Sequence, residues 1–154
     1  MLTGPGLIAA LALAACSSPA DVQPPSPAGA AATACAALAR ALPQEVADQP
    51  RRRTTPQSPF TAAWGDPAII LRCGAPLPPH HGAVCTSIDG VDWLPAADGR
   101  SGPYTAVGRA AFVAVDVPAD YAPAQAVVAL TDLSPAVGAA VPVSATPGCA
   151  PAPS

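Results

Sequence analysis

Four cysteines, Cys35, Cys73, Cys85 and Cys149, constrain what this chain can fold into more than any other feature. A fifth, Cys16, ends an N-terminal apolar run and has a separate role. An even set of cysteines in an exported chain reads as disulfides, and four of them allow three pairings. The spacing favours Cys73–Cys85, which closes a short local loop, and Cys35–Cys149, which ties the two ends of the folded part together. Loop closure of this kind contributes about 3 kcal/mol for a short loop and about 5 kcal/mol across roughly a hundred residues. The core has few large side chains to add to that. Among 154 residues there are two Trp, two Tyr and two Phe, and Ala is the largest part of the 51% hydrophobic fraction. Val, Leu, Ile and Ala must therefore supply the interior of a single small domain. A zinc site is the rival use of these cysteines. The chain has no Cys-x-x-Cys pair, however, and His80-His81 do not stand at ligand spacing from two cysteines.

Cys16 follows the run Leu7-Ile8-Ala9-Ala10-Leu11-Ala12-Leu13-Ala14-Ala15. Nine apolar residues are too few for a membrane-spanning helix, which needs about 20. They suit the h-region of a secretory signal, for which roughly 7–15 is usual. An apolar run, two small residues and a cysteine resemble a bacterial lipobox, in which the cysteine thiol takes a diacylglycerol and the preceding peptide is removed. Residues 1–6 hold no Lys or Arg, so the cationic part of such a signal is missing or begins upstream of Met1. The expectation is a leader over 1–15, a lipid-anchored flexible Ser/Pro/Ala tether over 16–33, one domain over 34–149 and a loose tail over 150–154. All the basic residues are Arg, and the net charge of -3 gives neither a basic face for nucleic acid nor a general attraction to anionic lipid. Membrane attachment then falls to lipid on Cys16.

Along the domain, Leu38 and Leu42 share a helix face, Thr33 is a suitable N-cap, and Pro43 ends the helix. A short turn at Glu45–Asp48 and an exposed link at Pro50–Arg53 follow. From Thr61 onward the pattern is short strands separated by turn residues. Thr61–Trp64, Ala68–Cys73, Ala83–Ile88, Val91–Leu94, Tyr104–Val107 and Ala111–Val117 are the candidates, with Asp89-Gly90 as a hairpin turn. Val113, Val115 and Val117 alternate onto one buried face. Gln125–Leu130 and Asp132–Ala140 read as two short helical pieces near Pro135. The sum is α+β: a small antiparallel sheet packed by one or two helices and crosslinked by disulfides.

Three strings, Ala62-Ala-Trp-Gly-Asp-Pro-Ala-Ile-Ile-Leu-Arg-Cys-Gly74, Gly90-Val-Asp-Trp-Leu94 and Tyr104-Thr-Ala-Val-Gly-Arg109, resemble the actinobacterial lipoproteins of the domain of unknown function 3515 family. The likeness runs from about Cys35 to Cys149, with cysteines in corresponding places. Where many of these relatives are expected to carry an aromatic, this chain has Val107. The resemblance implies an exported, membrane-attached envelope protein and implies no activity.

The candidate binding residues are Trp64, Asp66, Arg72, Trp93 and Arg109. Trp64 offers a flat apolar platform, Asp66 an acceptor, and Arg72 a planar fork for a carboxylate or phosphate. Each also has a simpler structural account. Gly65-Asp66-Pro67 is a turn entering a strand, the tryptophans are core, and Arg72 and Arg109 are solvated surface groups. Arg51-Arg52-Arg53 reads as a solvated basic run able to touch lipid head groups. His80-His81 and Ser87 lack the Gly-x-Ser-x-Gly elbow that a serine hydrolase would show. The expectation is a non-enzymatic envelope module without cofactor or metal, held to the membrane through Cys16 and binding an envelope protein partner. The alternatives are a binder of small anionic solutes through Arg72 and Arg109, and an envelope-acting enzyme using Asp66 or Asp92 as base.

Overall fold

The computed structural model describes residues 18–79, 84–95, 103–144 and 149. Cys16, His80, His81 and the tail 150–154 lie outside the described residues. In chain order the elements are β1 (Ala20–Asp21), α1 (Gly29–Ala41), β2 (Glu45–Val46), β3 (Gln49–Arg52), β4 (Thr54–Thr55), β5 (Thr61–Trp64), β6 (Ile69–Cys73), β7 (Thr86–Ile88), β8 (Val91–Leu94), β9 (Tyr104–Val107), β10 (Val113–Asp116) and α2 (Pro123–Ala140). Eight strands form one antiparallel sheet in the order β2-β3-β5-β6-β10-β9-β8-β7. The class is therefore α+β, with a sheet considerably larger than the small one expected. β1 and β4 make a separate parallel pair.

Alternation along the strands decides the layers. Trp93, Ala106, Val113 and Cys73 stand opposite one another across β8, β9, β10 and β6. Leu71, Val115, Ala62, Trp64 and Ile69 belong to the same buried cluster, which also takes Cys35 and Leu38 from α1 and Leu130, Leu133 and Val137 from α2. Both helices thus cover one face of the sheet, and Val113, Val115 and Val117 are buried as their alternation required.

Three local readings change. α1 begins at Gly29 with Ala28 as N-cap, and Thr33 lies inside it, its hydroxyl donating to the Gly29 carbonyl at 3.3 Å. The link at Pro50–Arg53 is mostly strand, because Ala47 and Asp48, at φ 49° and 61°, make the positive-φ turn of a two-residue hairpin between β2 and β3. Asp132 on α2 holds that turn by accepting the Ala47 N–H at 2.8 Å. The two helical pieces near Pro135 are one helix, α2, started by Gln125 accepting the Ala122 N–H at 3.0 Å. An interior proline costs a helix about 3 kcal/mol, and burial of Ala129, Leu130, Leu133 and Val137 against the sheet offsets it.

The tether also needs correction. Val22 and Ala20 are buried with Ala63 on the sheet face opposite the helices. Ala20 N–H donates to Arg53 O at 2.8 Å, and Val22 N–H to Thr55 O at 3.0 Å. Gly74, at φ 85°, lies so close under Pro27 that a β-carbon there would come within 2.5 Å of the proline ring. The folded part begins near residue 20, so any free tether is far shorter than 16–33.

The disulfides differ from the expected pairing as well. Cys35 joins Cys73, linking α1 to β6, and Cys85 joins Cys149, linking the start of β7 to the C-terminal segment. Cys73 shares its face with Leu71, beneath α1, and so cannot turn toward the loop that leads to Cys85.

Candidate functional site

β2 pairs only with Gln49 and Pro50 of β3. The Arg51 N–H still donates to Gln44 O at 2.7 Å and the Arg53 carbonyl accepts the Ala20 N–H at 2.8 Å, so the run Arg51, Arg52 and Arg53 lies where pairing passes from β2 to β1. The loop of residues 57–59 faces them across a groove of about 570 Å³, lined also by Gln44, Thr54 and Ala62. Three of the chain's seven basic residues meet here, and no carboxylate is among the nine residues lining the groove. In a chain whose net charge is -3 this concentration is local and distinct.

The three guanidiniums have different surroundings. Arg52 is tied down: it donates to Gly65 O at 3.0 Å and Ser18 O at 2.5 Å, and pairs with Asp66 at 3.1 Å. Arg51 lies over the ring of Trp64, 5.0 Å from its centroid, and reaches Pro43 O at 3.5 Å. Burial pushes its affinity for a proton below the ordinary arginine value, but arginine stays charged in proteins. Arg53 is exposed. Among the described residues, neither Arg51 nor Arg53 has a carboxylate within salt-bridge distance. Ser58 Oγ accepts the Phe60 N–H at 3.1 Å, which leaves its own proton available for donation. Buried Thr54 is hydrogen-bonded to Thr61 at 3.3 Å.

The residues singled out from sequence are placed as follows. Trp64 is fully buried, its ring N–H donating to Pro43 O at 3.1 Å, so it is a floor for Arg51 and offers no platform to a ligand. Asp66 is mostly exposed and anchors Arg52. Its charge stands near Tyr121, whose hydroxyl donates to Pro67 O at 2.7 Å. Burial first, then Asp66 and Asp120, push the Tyr121 phenol above its ordinary value. Arg72 is paired with Asp116 across β6 and β10. Trp93 is buried and donates to Ser134 Oγ at 3.0 Å. Arg109, expected at the surface, is 6% exposed. It donates to Val141 O at 2.7 Å and Gly90 O at 2.8 Å, fastening the β7–β8 turn to the C-terminal end of α2. Cationic groups favour that end of a helix.

The structure therefore brings Trp64, Asp66 and the 51–53 run together, and separates them from Arg72, Trp93 and Arg109. The groove residues Gln44, Gln57 and Ser58 carried no motif. The only sequence sign of the groove was the triple arginine in an acidic chain. Among the described residues no group of three or more His, Cys, Asp or Glu could hold a metal ion, and no helix is long and apolar enough to cross a membrane.

The chain matches the model of a family described as Protein of unknown function (DUF3515) over residues 4–146, a likeness that starts well ahead of Cys35. No curated protein and no solved structure matches it.

Proposed function

The chain belongs to this family of unknown function, and from that premise we propose that it is a non-enzymatic binding module of the cell envelope, anchored by lipid on Cys16, whose working surface is the β3 groove. The observation that carries the reading is the convergence of Arg51 and Arg53 on one groove without a carboxylate partner. Guanidiniums held in this way recognise anions, and the planar fork matches carboxylate and phosphate oxygens. Arg72 and Arg109, the anchors of the solute-binding alternative, are replaced in that role by Arg51 and Arg53. A general-base role for Asp66 is weakened by its exposure and its bond to Arg52.

Export is supported by the two disulfides, which use every cysteine except Cys16 and would be reduced in a bacterial cytoplasm. Anchoring is supported by the lipobox-like run ending at Cys16. One acyl chain binds a bilayer marginally and two bind it stably.

Two measurements test the reading. Cys16→Ser should move the protein out of the membrane fraction; retention there counts against the anchor. Arg51→Glu with Arg53→Glu should abolish capture of an envelope ligand by crosslinking, with the disulfides intact. Unchanged capture counts against the groove.

A further inference from the structure

We propose that the ligand of the β3 groove is a phosphate group, borne by a phosphate ester or by an anionic phospholipid head group. This inference rests on the groove being the working surface and specifies the chemistry it takes.

A single carboxylate carries one negative charge, which one arginine fork, bonding both of its oxygens, already neutralises. The groove offers more than that. Arg51 and Arg53 stand two residues apart, so their side chains leave β3 and its continuation on the same side. Both lack a carboxylate partner among the described residues. Two cations without acids between them are matched by a tetrahedral anion with three or more oxygens and up to two charges.

The remaining lining supplies neutral donors of the right kind. Ser58 has its hydroxyl proton unspent, because its oxygen accepts from Phe60 N–H. Gln44 and Gln57 bring side-chain amides to the same groove. Hydroxyl and amide groups bond the oxygens that guanidiniums leave over, and they add no charge. The stack on Trp64 holds Arg51 in one orientation before any ligand arrives, which lowers the entropy cost of binding. Arg52 stays with Asp66, Gly65 and Ser18 and serves the wall of the groove. A volume of about 570 Å³ has room for a phosphate together with the group it esterifies.

The position of the groove admits either source of phosphate. The N-terminal segment crosses β4 and bonds Arg52 through Ser18, two residues after Cys16. A lipid on Cys16 would therefore bring head groups close to β3. A soluble phosphate ester would reach the same groove from solvent.

The test uses the full chain carrying Cys16→Ser, so that acyl chains cannot draw it onto vesicles. Calorimetric titration with glycerol 3-phosphate, inorganic phosphate and acetate gives the first arm. Both phosphates should bind, acetate should bind at least about tenfold more weakly, and Arg53→Gln should weaken the phosphates about tenfold, the worth of one charge-assisted contact. Because Arg53 is exposed, its thermal midpoint should stay at that of the parent. Arg51→Lys, which keeps the charge and loses the fork, should weaken phosphate less than Arg51→Gln.

The second arm is flotation with vesicles of phosphatidylcholine, alone or mixed with phosphatidylglycerol. Flotation that needs phosphatidylglycerol and is lost in Arg53→Gln supports the head group as source. Absence of flotation on both vesicles, with glycerol 3-phosphate binding, supports the soluble ester. Acetate binding as tightly as phosphate overturns the phosphate assignment and leaves an anion groove standing. Indifference of every probe to Arg53→Gln overturns both. Retention of Cys16→Ser in the membrane fraction that Arg53→Gln abolishes supports the head group, and retention that survives Arg53→Gln counts against the anchor.

Discussion

Trp64 and Trp93 lie on two flanks of the sheet, and the arginines of those flanks behave in opposite ways. Trp93 is sealed between the sheet and α2, and Arg109, just past β9, hands its protons to the carbonyls of Gly90 and Val141. Trp64 is equally buried, but Arg51 above it opens onto a groove beside Arg53. The difference lies in the sheet. Around Trp93 the strands β7, β8 and β9 pair continuously and α2 covers them, and the backbone there supplies acceptors to Arg109. Around Trp64 the pairing with the β2 segment ends where the Arg51 N–H meets Gln44 O, and the side chains of Arg51 and Arg53 line a groove there. An arginine is structural where the fold supplies its acceptors, and available to a ligand where the fold runs out of them.

The largest test of that contrast concerns how firmly α1 holds the Trp64 side. Cys35–Cys73 spans 38 residues and joins α1 to β6. Loop-closure arithmetic puts its contribution near 4 kcal/mol. Chemical denaturation of a Cys35→Ala, Cys73→Ala variant should show a loss of about that size, and preferential exposure of Trp64 over Trp93 would follow if α1 is what loosens. A loss well under 1 kcal/mol would mean that packing of Leu38 and Leu42 alone secures the helix.

Next comes the comparison of Arg109→Met with Arg53→Met. Removing Arg109 leaves the buried Val141 carbonyl without its donor and unfastens the Gly90 turn, and should cost about 3 kcal/mol in urea unfolding. The same change at exposed Arg53 should lie within about 0.5 kcal/mol of the parent. Similar costs at the two positions would erase the distinction between the two regions.

How far this arrangement could be read beforehand differs along the chain. Alternation and turn chemistry located β5 through β10 closely, since Ile69, Leu71 and Cys73, or Val113 and Val115, bury one face however the sheet is assembled. What failed was non-local. The pairing of Cys73 with Cys35 depends on α1 lying over β6, and loop length says nothing of that. A clue was present, because Cys35, Leu38 and Leu42 share one helix face and Cys73 shares the face of Leu71. The tether looked loose because Ser, Pro and Ala carry little burial signal. Val22 alone gives it a place in a core, and that core needs Ala63, some forty residues later, to exist. Arg51–Arg53 was visible as charge but not as a groove, since its walls come from Gln44 and from residues 57–59. Arg109 was misplaced because its acceptors lie at Gly90 and Val141, which no local pattern connects.

A smaller effect sharpens the Trp93 side. Ser134 Oγ accepts the Trp93 ring N–H at 3.0 Å and itself donates to Leu130 O at 2.7 Å. Ser134→Ala removes the acceptor and leaves a buried N–H unpaired, a loss of about 1–3 kcal/mol. Trp93 emission should move with it while Trp64 emission stays fixed, because Trp64 bonds Pro43 O on the opposite flank. Coupled movement of both signals would show one core where two separately anchored regions are expected.

The smallest expected change in stability falls at Arg51, and there the comparison becomes functional. Its contacts are the Trp64 face at 5.0 Å and a long bond to Pro43 O. A cation over an aromatic ring contributes about 0.5–1 kcal/mol at such partly open sites. Arg51→Gln should therefore lower stability by no more than about 1 kcal/mol, against about 3 kcal/mol for Arg109→Met. Its effect on anion binding should run the other way: a large loss for Arg51→Gln, and none for Arg109→Met measured where that variant is still folded. The two arginines would then be exchanged in rank between a stability assay and a binding assay. That exchange follows only if Arg51 is held by the fold yet not satisfied by it; equal rank in both assays would make it another structural arginine.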